Sequence, residues 1–183
     1  VSEINFKELP NQFCLKVNHG SGMNYVVKNK EQMNKRTINR LFKAWMQRPF
    51  EAVALERHYK NINRKIIAEQ YIEGLEGSLY DYKIHCFNGK PVFIQCIGNR
   101  NLKLHTGEQG NYDLEWNKLD WTFEDYPAFN QEVSKPQRLK EMLEIATKLA
   151  SGFKYVRVDL YDLEDKVLFG EMTFTPGAGF YPY

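Results

Sequence analysis

The sequence predicts an α+β protein with antiparallel sheets and packed helices, divided into two lobes. Strand-like and helical segments follow one another in the order hairpin, helix, strand, hairpin, helix, hairpin, and short turns favour antiparallel pairing. The 183 residues are 43% apolar and 14% aromatic, which is enough for packed cores. A glycine-containing stretch at 74–78 is the best candidate for a hinge. We therefore expect a small lobe over 1–73 and a larger lobe over 74–183.

The small lobe begins with a predicted hairpin. Apolar alternation from Phe13 to Val17 indicates a strand, 18–22 is a glycine-rich turn, and 25–28 reads as the second strand. A helix over 30–47 follows, and a strand over 66–72 closes the lobe. The helix is predicted from apolar residues at helical spacing: Ile38, Leu41, Phe42 and Trp45.

The larger lobe begins with strands over 81–87 and 92–98. Asn88-Gly89 joins them and is a strong signal for a tight hairpin turn. Residues 106–135 are polar, aromatic and without periodicity, so we expect a long irregular surface excursion.

A second helix is predicted over 136–151, with Pro136 at its start and Gly152 after its end, as helix boundaries prefer. Two final strands, 155–161 and 166–175, form a hairpin.

Composition excludes several classes of protein. With 25 basic and 23 acidic residues the formal net charge is +2, which gives no argument for a nucleic-acid partner. No apolar run reaches the roughly 18 to 20 residues of a membrane span, and residues 1–10 mix charge and polarity and lack the apolar core of a signal peptide. The three cysteines (Cys14, Cys86 and Cys96) lack metal-ligand spacing and indicate reduced thiols in a cytoplasmic protein. Without an initiator methionine, the chain reads as a piece of a longer protein.

The final hairpin carries the clearest candidate chemistry. Arg157 and Asp159 share one face of the first strand, and Glu171 and Thr173 share one face of the second. A three-residue turn would place Arg157 opposite Glu171, with Asp159 as its diagonal neighbour. Carboxylates on adjacent strands can bind magnesium and leave positions for phosphate oxygens, while an arginine stabilises a transferring phosphoryl group. The alternative is an exposed cross-strand ion pair of little energetic consequence.

Other polar groups have weaker patterns. The glycine loop from His19 to Asn24 could bind phosphates through its backbone amides, with Lys16 adding a charge, although an ordinary hairpin turn is favoured. Lys83 shares a strand face with Asp81 and His85, and Arg100 ends the next strand; a solvated charged face is the alternative. The basic stretch 28–48 could contact RNA or an anionic glycan, but a solvated helix face is favoured.

Several long segments, in this order, carry a resemblance to a known family: Leu9-Pro10 with Phe13 to Gly22, Asp81-Tyr82-Lys83 with Phe87 to Pro91, Arg157 to Tyr161, and Phe169 to Gly179. Together they resemble the ATP-grasp superfamily and, within it, the TupA-like branch, named after a protein of teichuronopeptide biosynthesis. The resemblance covers nearly the whole chain and implies a two-lobed ATP-grasp fold in a bacterial protein.

The resemblance implies ATP-binding residues in the small lobe. Lys16 is similar to the strand lysine that contacts the ATP phosphates, and Gly20, Ser21 and Gly22 to the flexible loop over them. The segment between the lobes is similar to the one that binds adenine through backbone groups, and the resemblance implies that Glu73 or Glu76 contacts the ribose. The adenine segment comprises Glu69, Gln70, Tyr71 and Ile72.

For the larger lobe the resemblance implies the reacting centre. Lys83 and Arg100 are similar to basic residues near the triphosphate, and Arg157 to the arginine beside the reacting phosphate. Asp159 and Glu171 are similar to the carboxylates that bind Mg²⁺. Thr173 occupies the position where the wider superfamily usually has an asparagine ligand.

The implied activity is ATP- and magnesium-dependent ligation of a carboxylate to an amine through an acylphosphate. For this branch the implied acceptor is a sugar acid of a surface polysaccharide, joined to an amino acid. A complete member carries a further N-terminal region, so this piece alone could be inactive. Two alternatives stay open: a glycosyltransferase, for which Asp113-Leu114-Glu115 and Asp162-Leu163-Glu164 are only poor D-x-D matches, and a non-catalytic module that binds nucleotide or glycan.

Overall fold

The chain forms two compact units, Val1–Ile72 (unit 1) and Glu73–Tyr183 (unit 2). The structure, a computed structural model, describes residues 4–50, 57–72, 79–101, 104 and 106–179. Within the described residues each unit contains an antiparallel sheet and one α-helix, so the α+β prediction is confirmed. The predicted hinge at 74–78 lies outside the described residues. None of the described helices is long and apolar enough to cross a membrane.

Unit 1 contains a three-stranded sheet in the order β2-β1-β3. Its strands are β1 (Phe13–Val17), β2 (Asn24–Val27) and β3 (Ile66–Gln70), which confirms the predicted hairpin. Helix α1 (Lys35–Gln47) contributes Ile38 and Phe42 to the buried core of the unit. The alternation of β1 places Phe13, Leu15 and Val17 in that core and directs Lys16 to the other face.

The helix predicted from residue 30 starts later than expected. Lys30–Gln32 forms a separate 3₁₀ turn, and α1 begins at Lys35. The Asn34 side chain accepts a hydrogen bond of 3.0 Å from the backbone N–H of Thr37 and so caps α1. The start of α1 is therefore fixed by the capping residue Asn34, which the spacing of the apolar residues could not reveal.

Unit 2 contains a five-stranded antiparallel sheet in the order β6-β5-β4-β7-β8. Its elements are β4 (Asp81–Phe87), β5 (Lys90–Asn101), β6 (Thr106–Tyr112), helix α2 (Leu139–Ala150), β7 (Tyr155–Asp162) and β8 (Val167–Thr173). The predicted tight turn between β4 and β5 is confirmed, because Asn88 and Gly89 have φ of 49° and 77°.

Helix α2 covers one face of this sheet. Met142 and Ala146 pack with Ile84, Val156 and Val158, and all five are fully buried. Because side chains alternate along a strand, the residues between these apolar positions lie on the opposite face. That opposite face carries the polar residues of β4 and β7, and it positions the candidate site.

The prediction of an irregular excursion over 106–135 is wrong for its first part, which forms β6 beside β5. This strand lacks apolar alternation and instead buries polar side chains. Gln109 is fully buried, and its Nε2 donates hydrogen bonds of 2.5 and 2.7 Å to the carbonyls of Phe123 and Tyr126. Polar side chains with hydrogen-bond partners can occupy buried positions of a strand in place of apolar side chains. The sequence of β6 therefore has no hydrophobic periodicity from which the strand could be predicted.

Candidate functional site

The polar face of unit 2 presents side chains in two rows that cross the sheet. The strand register runs across β4, β7 and β8 as Lys83–Asp159–Glu171 in one row and His85–Arg157–Thr173 in the next. Antiparallel pairing brings directly opposite side chains within contact distance. Residues far apart in sequence thereby form one cluster, and four of them, Lys83, His85, Arg157 and Asp159, are at most 9% exposed.

The register of the final hairpin differs by two residues from the one expected for a three-residue turn. Arg157 lies opposite Thr173, and Asp159 lies opposite Glu171. The loop between Asp162 and Val167 has four residues instead of three, and Gly170 adds one more at a β-bulge, where a Cβ would lie 3.0 Å from the Asp159 carbonyl oxygen. Each shift alone would move the side chains to the other face, but together they restore the predicted face.

Asp159 lies at the centre of the cluster. Its Oδ2 lies 2.5 Å from Lys83 Nζ, and Arg157 donates to both carboxylate oxygens, from Nε at 2.7 Å and from Nη2 at 2.8 Å. Burial alone would raise the pKa of Asp159, but the charges and hydrogen bonds of Lys83 and Arg157 outweigh burial and lower it. The pKa of Arg157 is raised, because Asp159 outweighs the opposing effect of burial. Asp159 and Arg157 are therefore both charged at neutral pH.

The cluster extends to both sides of Asp159. Lys83 Nζ also lies 2.7 Å from Asp81, and Arg100 Nη1 approaches the same Asp81 oxygen at 3.4 Å. The structure thus brings the predicted Lys83 and Arg100 together through Asp81, for which the sequence predicted no role. Because Arg100 is 37% exposed at its side chain, this end of the cluster is open to solvent.

On the other side, Arg157 Nη2 donates to Glu171 Oε1 and to Thr173 Oγ1, both at 3.1 Å. One nitrogen is therefore surrounded by oxygens of Asp159, Glu171 and Thr173. The Glu171 side chain is 61% exposed, so its carboxylate is accessible.

The oxygens of Asp159, Glu171 and Thr173 are ligands that fit magnesium, which prefers oxygen ligands. Magnesium commonly takes only one or two carboxylates from the protein, and phosphate oxygens complete its coordination shell. In the described part of the chain no three His, Cys, Asp or Glu side chains are grouped so that they could hold a metal. A cation here would therefore depend on Asp159, Glu171 and ligands that a bound molecule supplies.

A cavity of about 630 Å³ adjoins Arg157. It is lined by His85, Phe87, Phe93, Gln95, Trp121, Phe123, Tyr155, Arg157, Phe174, Thr175, Pro176 and Gly179. The His85 ring stacks on Phe93 with ring centroids 4.1 Å apart, and its Nδ1 lies 3.0 Å from Tyr155 Oη. Burial, followed by the Arg157 charge, lowers the pKa of His85 to about 3, so this imidazole is neutral at pH 7.

The sequence did not predict this cavity. Phe93 and Gln95 alternate along β5 with Ile94 and Cys96, which belong to the apolar core. This alternation is the one sequence signal that places Phe93 and Gln95 together on the opposite face of the strand. The wall formed by Trp121 and Phe123 comes from an irregular segment, and no local pattern predicts where such a segment packs.

In unit 1, the predicted phosphate lysine is paired with a residue of the predicted adenine segment. Lys16 Nζ lies 2.6 Å from Glu69 Oε1, and the two side chains are 33% and 44% exposed. Glu69 and Gln70 end β3, and Tyr71 and Ile72 follow it directly. Glu73 and Glu76, expected at ribose, lie outside the described residues.

The glycine turn is partly built into the core of unit 1. His19 is 1% exposed, and its Nε2 lies 3.1 Å from the Trp45 carbonyl oxygen, so its side chain contacts α1. A Cβ on Gly20 would lie 2.4 Å from Met23, which explains the glycine there by packing. Ser21 and Gly22 are exposed, and Gly22 has a φ of 71°, so the tip of the turn keeps its backbone accessible.

Known proteins that are similar to this chain include two solved structures and one family. Two solved structures of D-alanine–D-alanine ligase from Bacillus anthracis, one complexed with ATP, align with the chain at 17% and 19% identity and TM-scores of 0.47 and 0.46. They cover 97% and 96% of this chain but 46% and 48% of their own, so the chain spans about half their length. No curated protein is significantly similar. The family model described as TupA-like ATPgrasp matches residues 1–183. The chain therefore belongs to the TupA-like ATP-grasp family.

Proposed function

We propose that this chain is the nucleotide-binding part of an ATP- and magnesium-dependent ligase that joins a carboxylate to an amine. The observation that carries the proposal is the cluster of Arg157, Asp159 and Glu171 on the adjacent strands β7 and β8. Phosphoryl transfer requires positioned positive charge and carboxylates that can hold a metal, and rigid strands provide that positioning.

In this proposal the basic side chains bind the triphosphate. Arg157 can turn its guanidinium from Glu171 to the transferring phosphoryl group, because that contact lies at the exposed edge of the cluster. Lys83 remains beside Asp159, and Arg100 contributes charge from the open end. Asp159, Glu171 and Thr173 would hold magnesium, which when bound neutralises charge on phosphate oxygens.

Unit 1 would contribute the remaining nucleotide contacts. Lys16 can exchange Glu69 for a phosphate at low cost, since both side chains are partly exposed. The accessible backbone at Ser21 and Gly22 supplies N–H donors for phosphate oxygens. We assign adenine to the backbone of residues 69–72 and ribose to Glu76.

The proposed reaction has two steps. A carboxylate oxygen of the acceptor attacks the γ-phosphorus of ATP; the new O–P bond forms as the bond to the bridging oxygen breaks, and ADP leaves with that electron pair. An amine then attacks the acyl carbon, the C–O bond to phosphate breaks, and the amine loses one proton as the amide forms. Arg157 stabilises the charge on the transferring group. We propose a sugar acid of a bacterial surface polysaccharide as acceptor and an amino acid as amine, with the reaction in the cytoplasm.

Hydroxylamine trapping tests this proposal. The full-length protein would be incubated with ATP, magnesium, hydroxylamine and a panel of carboxylates that includes hexuronates, and ADP and hydroxamate would be quantified. We expect carboxylate-dependent formation of both products, reduced roughly 100-fold or more by Arg157→Lys, which loses the bidentate geometry.

Glu164→Gln is the matched control, because Glu164 is an exposed acid in the loop of the same hairpin. If no carboxylate gives hydroxamate although ATP binds, the non-catalytic binding module becomes the better account. Transfer of sugar from a nucleotide sugar without ATP consumption would favour the glycosyltransferase.

A further inference from the structure

The charge of the chain is divided unequally between its two units. Unit 1, residues 1–72, has 13 lysines and arginines against six acidic residues, which gives a formal net charge of +7. Unit 2 has the remaining 12 basic and 17 acidic residues and a net charge of −5, so the total of +2 conceals the difference. A strong asymmetry of charge between two parts of a chain indicates that the basic part faces an anionic partner. Of the basic residues of unit 1, the proposed nucleotide site uses Lys16 alone.

Helix α1 carries the most concentrated part of this charge. Residues 35–48 include no acidic residue and five exposed basic ones: Lys35, Arg36, Arg40, Lys43 and Arg48. Arg36, Arg40 and Lys43, the basic stripe, follow one another at spacings of four and three residues, so they lie side by side along the helix. In the described part of the chain none of these three is in an ion pair. Like charges at these spacings destabilise a helix, so helix formation does not explain the stripe.

The basic stripe lies on the side of α1 that faces away from the sheet of unit 1. The buried residues of the helix, Ile38 and Phe42, pack in one core with the inward residues of β1. Arg36 and Arg40 each lie two positions from Ile38, which places them about 160° from it around the helix. Lys16 points from β1 to the other face of the sheet. The helix and the sheet therefore separate the stripe from Lys16, and the proposed nucleotide site does not account for its charge.

The shape of this surface distinguishes between anionic partners. The stripe from residue 36 to residue 43 is a row about 10 Å long on a convex helix, whereas a small ligand is held in a concave site. Proteins that bind single-stranded nucleic acid stack its bases on exposed aromatic rings, and no described aromatic residue of unit 1 is exposed. An anionic lipid surface requires neither a cavity nor a ring, because clustered lysines and arginines bind its headgroups by charge alone.

We propose that the basic stripe of α1 docks unit 1 on an anionic lipid surface. Because the apolar residues Ile38 and Phe42 remain in the core, α1 does not insert among acyl chains, and its contact is with charged headgroups. The stripe pairs with these headgroups, and Lys35 and Arg48 add charge at the two ends of the helix. The inference goes beyond the proposed function, because it concerns a different surface and holds whether or not the protein is a ligase.

Co-sedimentation of the full-length protein with lipid vesicles tests the assignment. The vesicles consist of phosphatidylcholine alone or of phosphatidylcholine with roughly one-third phosphatidylglycerol, in roughly 0.1 M salt. We expect binding to the anionic vesicles and none to the neutral ones. Each cation near an anionic surface strengthens binding by roughly fivefold, so changing Arg36, Arg40 and Lys43 together to glutamine should weaken binding by roughly 100-fold. Salt at roughly 1 M, which shortens the screening length to about 3 Å, should abolish binding.

The matched control removes the same amount of charge from unit 2. Lys140, Lys148 and Lys154 are exposed, and changing all three to glutamine should leave vesicle binding close to the natural value. Glutamine has nearly the helix propensity of lysine and arginine, so both triple variants should fold, and urea denaturation checks this. Equal losses of vesicle binding in the two triple variants would show that net charge alone decides the binding, and would overturn the proposal.

A variant that keeps the charge provides a second test, which does not depend on the stability of the glutamine variant. Arg36→Lys/Arg40→Lys loses the planar guanidinium groups but not the charge, so it should bind anionic vesicles as the natural protein does. Failure of the natural protein to bind anionic vesicles would overturn the proposal. If the natural protein instead bound single-stranded RNA or an anionic polysaccharide, and the glutamine variant did not, the stripe would be a site for that polymer.

Discussion

Each unit of the molecule contains a lysine–carboxylate pair, and the two differ in burial rather than in distance. Lys83 Nζ lies 2.5 Å from Asp159 in unit 2, with side chains 11% and 3% exposed. Lys16 Nζ lies 2.6 Å from Glu69 in unit 1, with side chains 33% and 44% exposed. Charges interact more strongly where water is excluded, and their desolvation makes an unpaired partner costly. The two pairs therefore differ in interaction strength because of their burial and not because of their distances.

The difference suits different tasks. A buried carboxylate held by two cations keeps its position whether or not a ligand is bound, which is what a reacting centre needs. A partly exposed lysine whose pairing is weak can leave its carboxylate for a phosphate at little cost. In the proposed function, Asp159 of unit 2 would thus be a fixed group and Lys16 of unit 1 an adaptable one.

The largest effect that tests the comparison is on stability. Asp159→Asn leaves Lys83 and Arg157 buried without their shared anion. We expect the free energy of unfolding to fall by about 3 kcal/mol, the low end of the range for breaking a buried ion pair. The low end applies because Lys83 still pairs with Asp81 and Arg157 still pairs with Glu171. Urea denaturation measures the change.

Glu69→Gln is the matched variant in unit 1. It removes a partly exposed partner, so the loss should be below about 1 kcal/mol. Equal losses in the two variants would show that burial does not separate the pairs.

A smaller effect concerns pH. Because burial lowers the pKa of folded His85 to about 3, below the roughly 6.5 of an unfolded histidine, the unfolded state binds the proton first. The stability contributed by neutral His85 is complete above about pH 6.5 and is lost as pH falls towards 3, by up to about 1.4 kcal/mol per pH unit. Urea denaturation at pH 7, 6 and 5 should give a shallower slope for His85→Gln than for the natural protein.

The comparison variant for this slope is Glu69→Gln, which leaves His85 in place and should keep the natural slope. If the free energy of unfolding fell equally steeply with pH in His85→Gln and in the natural protein, the loss of stability at acid pH could not be assigned to His85.

The sequence predicted the faces of the strands better than their partners. Period-two alternation placed Arg157 with Asp159 and Glu171 with Thr173, and the structure keeps these faces. The register depended on the length of one loop and on the bulge at Gly170, neither of which leaves a periodic signal. Strand β6 escaped prediction because hydrogen-bonded polar side chains replace apolar ones in its buried positions. The aromatic cavity depends on how residues 121–123 pack, which only tertiary structure decides.

Glu171 allows the most direct test of the central claim, that the cluster on β7 and β8 binds magnesium and nucleotide and is more than a structural ion network. Its side chain is 61% exposed, so Glu171→Gln should leave the free energy of unfolding within about 1 kcal/mol of the natural value. Calorimetric titration of the full-length protein with a non-hydrolysable ATP analogue, with and without magnesium, is the measurement. We predict magnesium-dependent binding that Glu171→Gln loses and Glu164→Gln retains. Magnesium-dependent binding of equal affinity in all three proteins would contradict the account, and so would the absence of analogue binding to the natural protein.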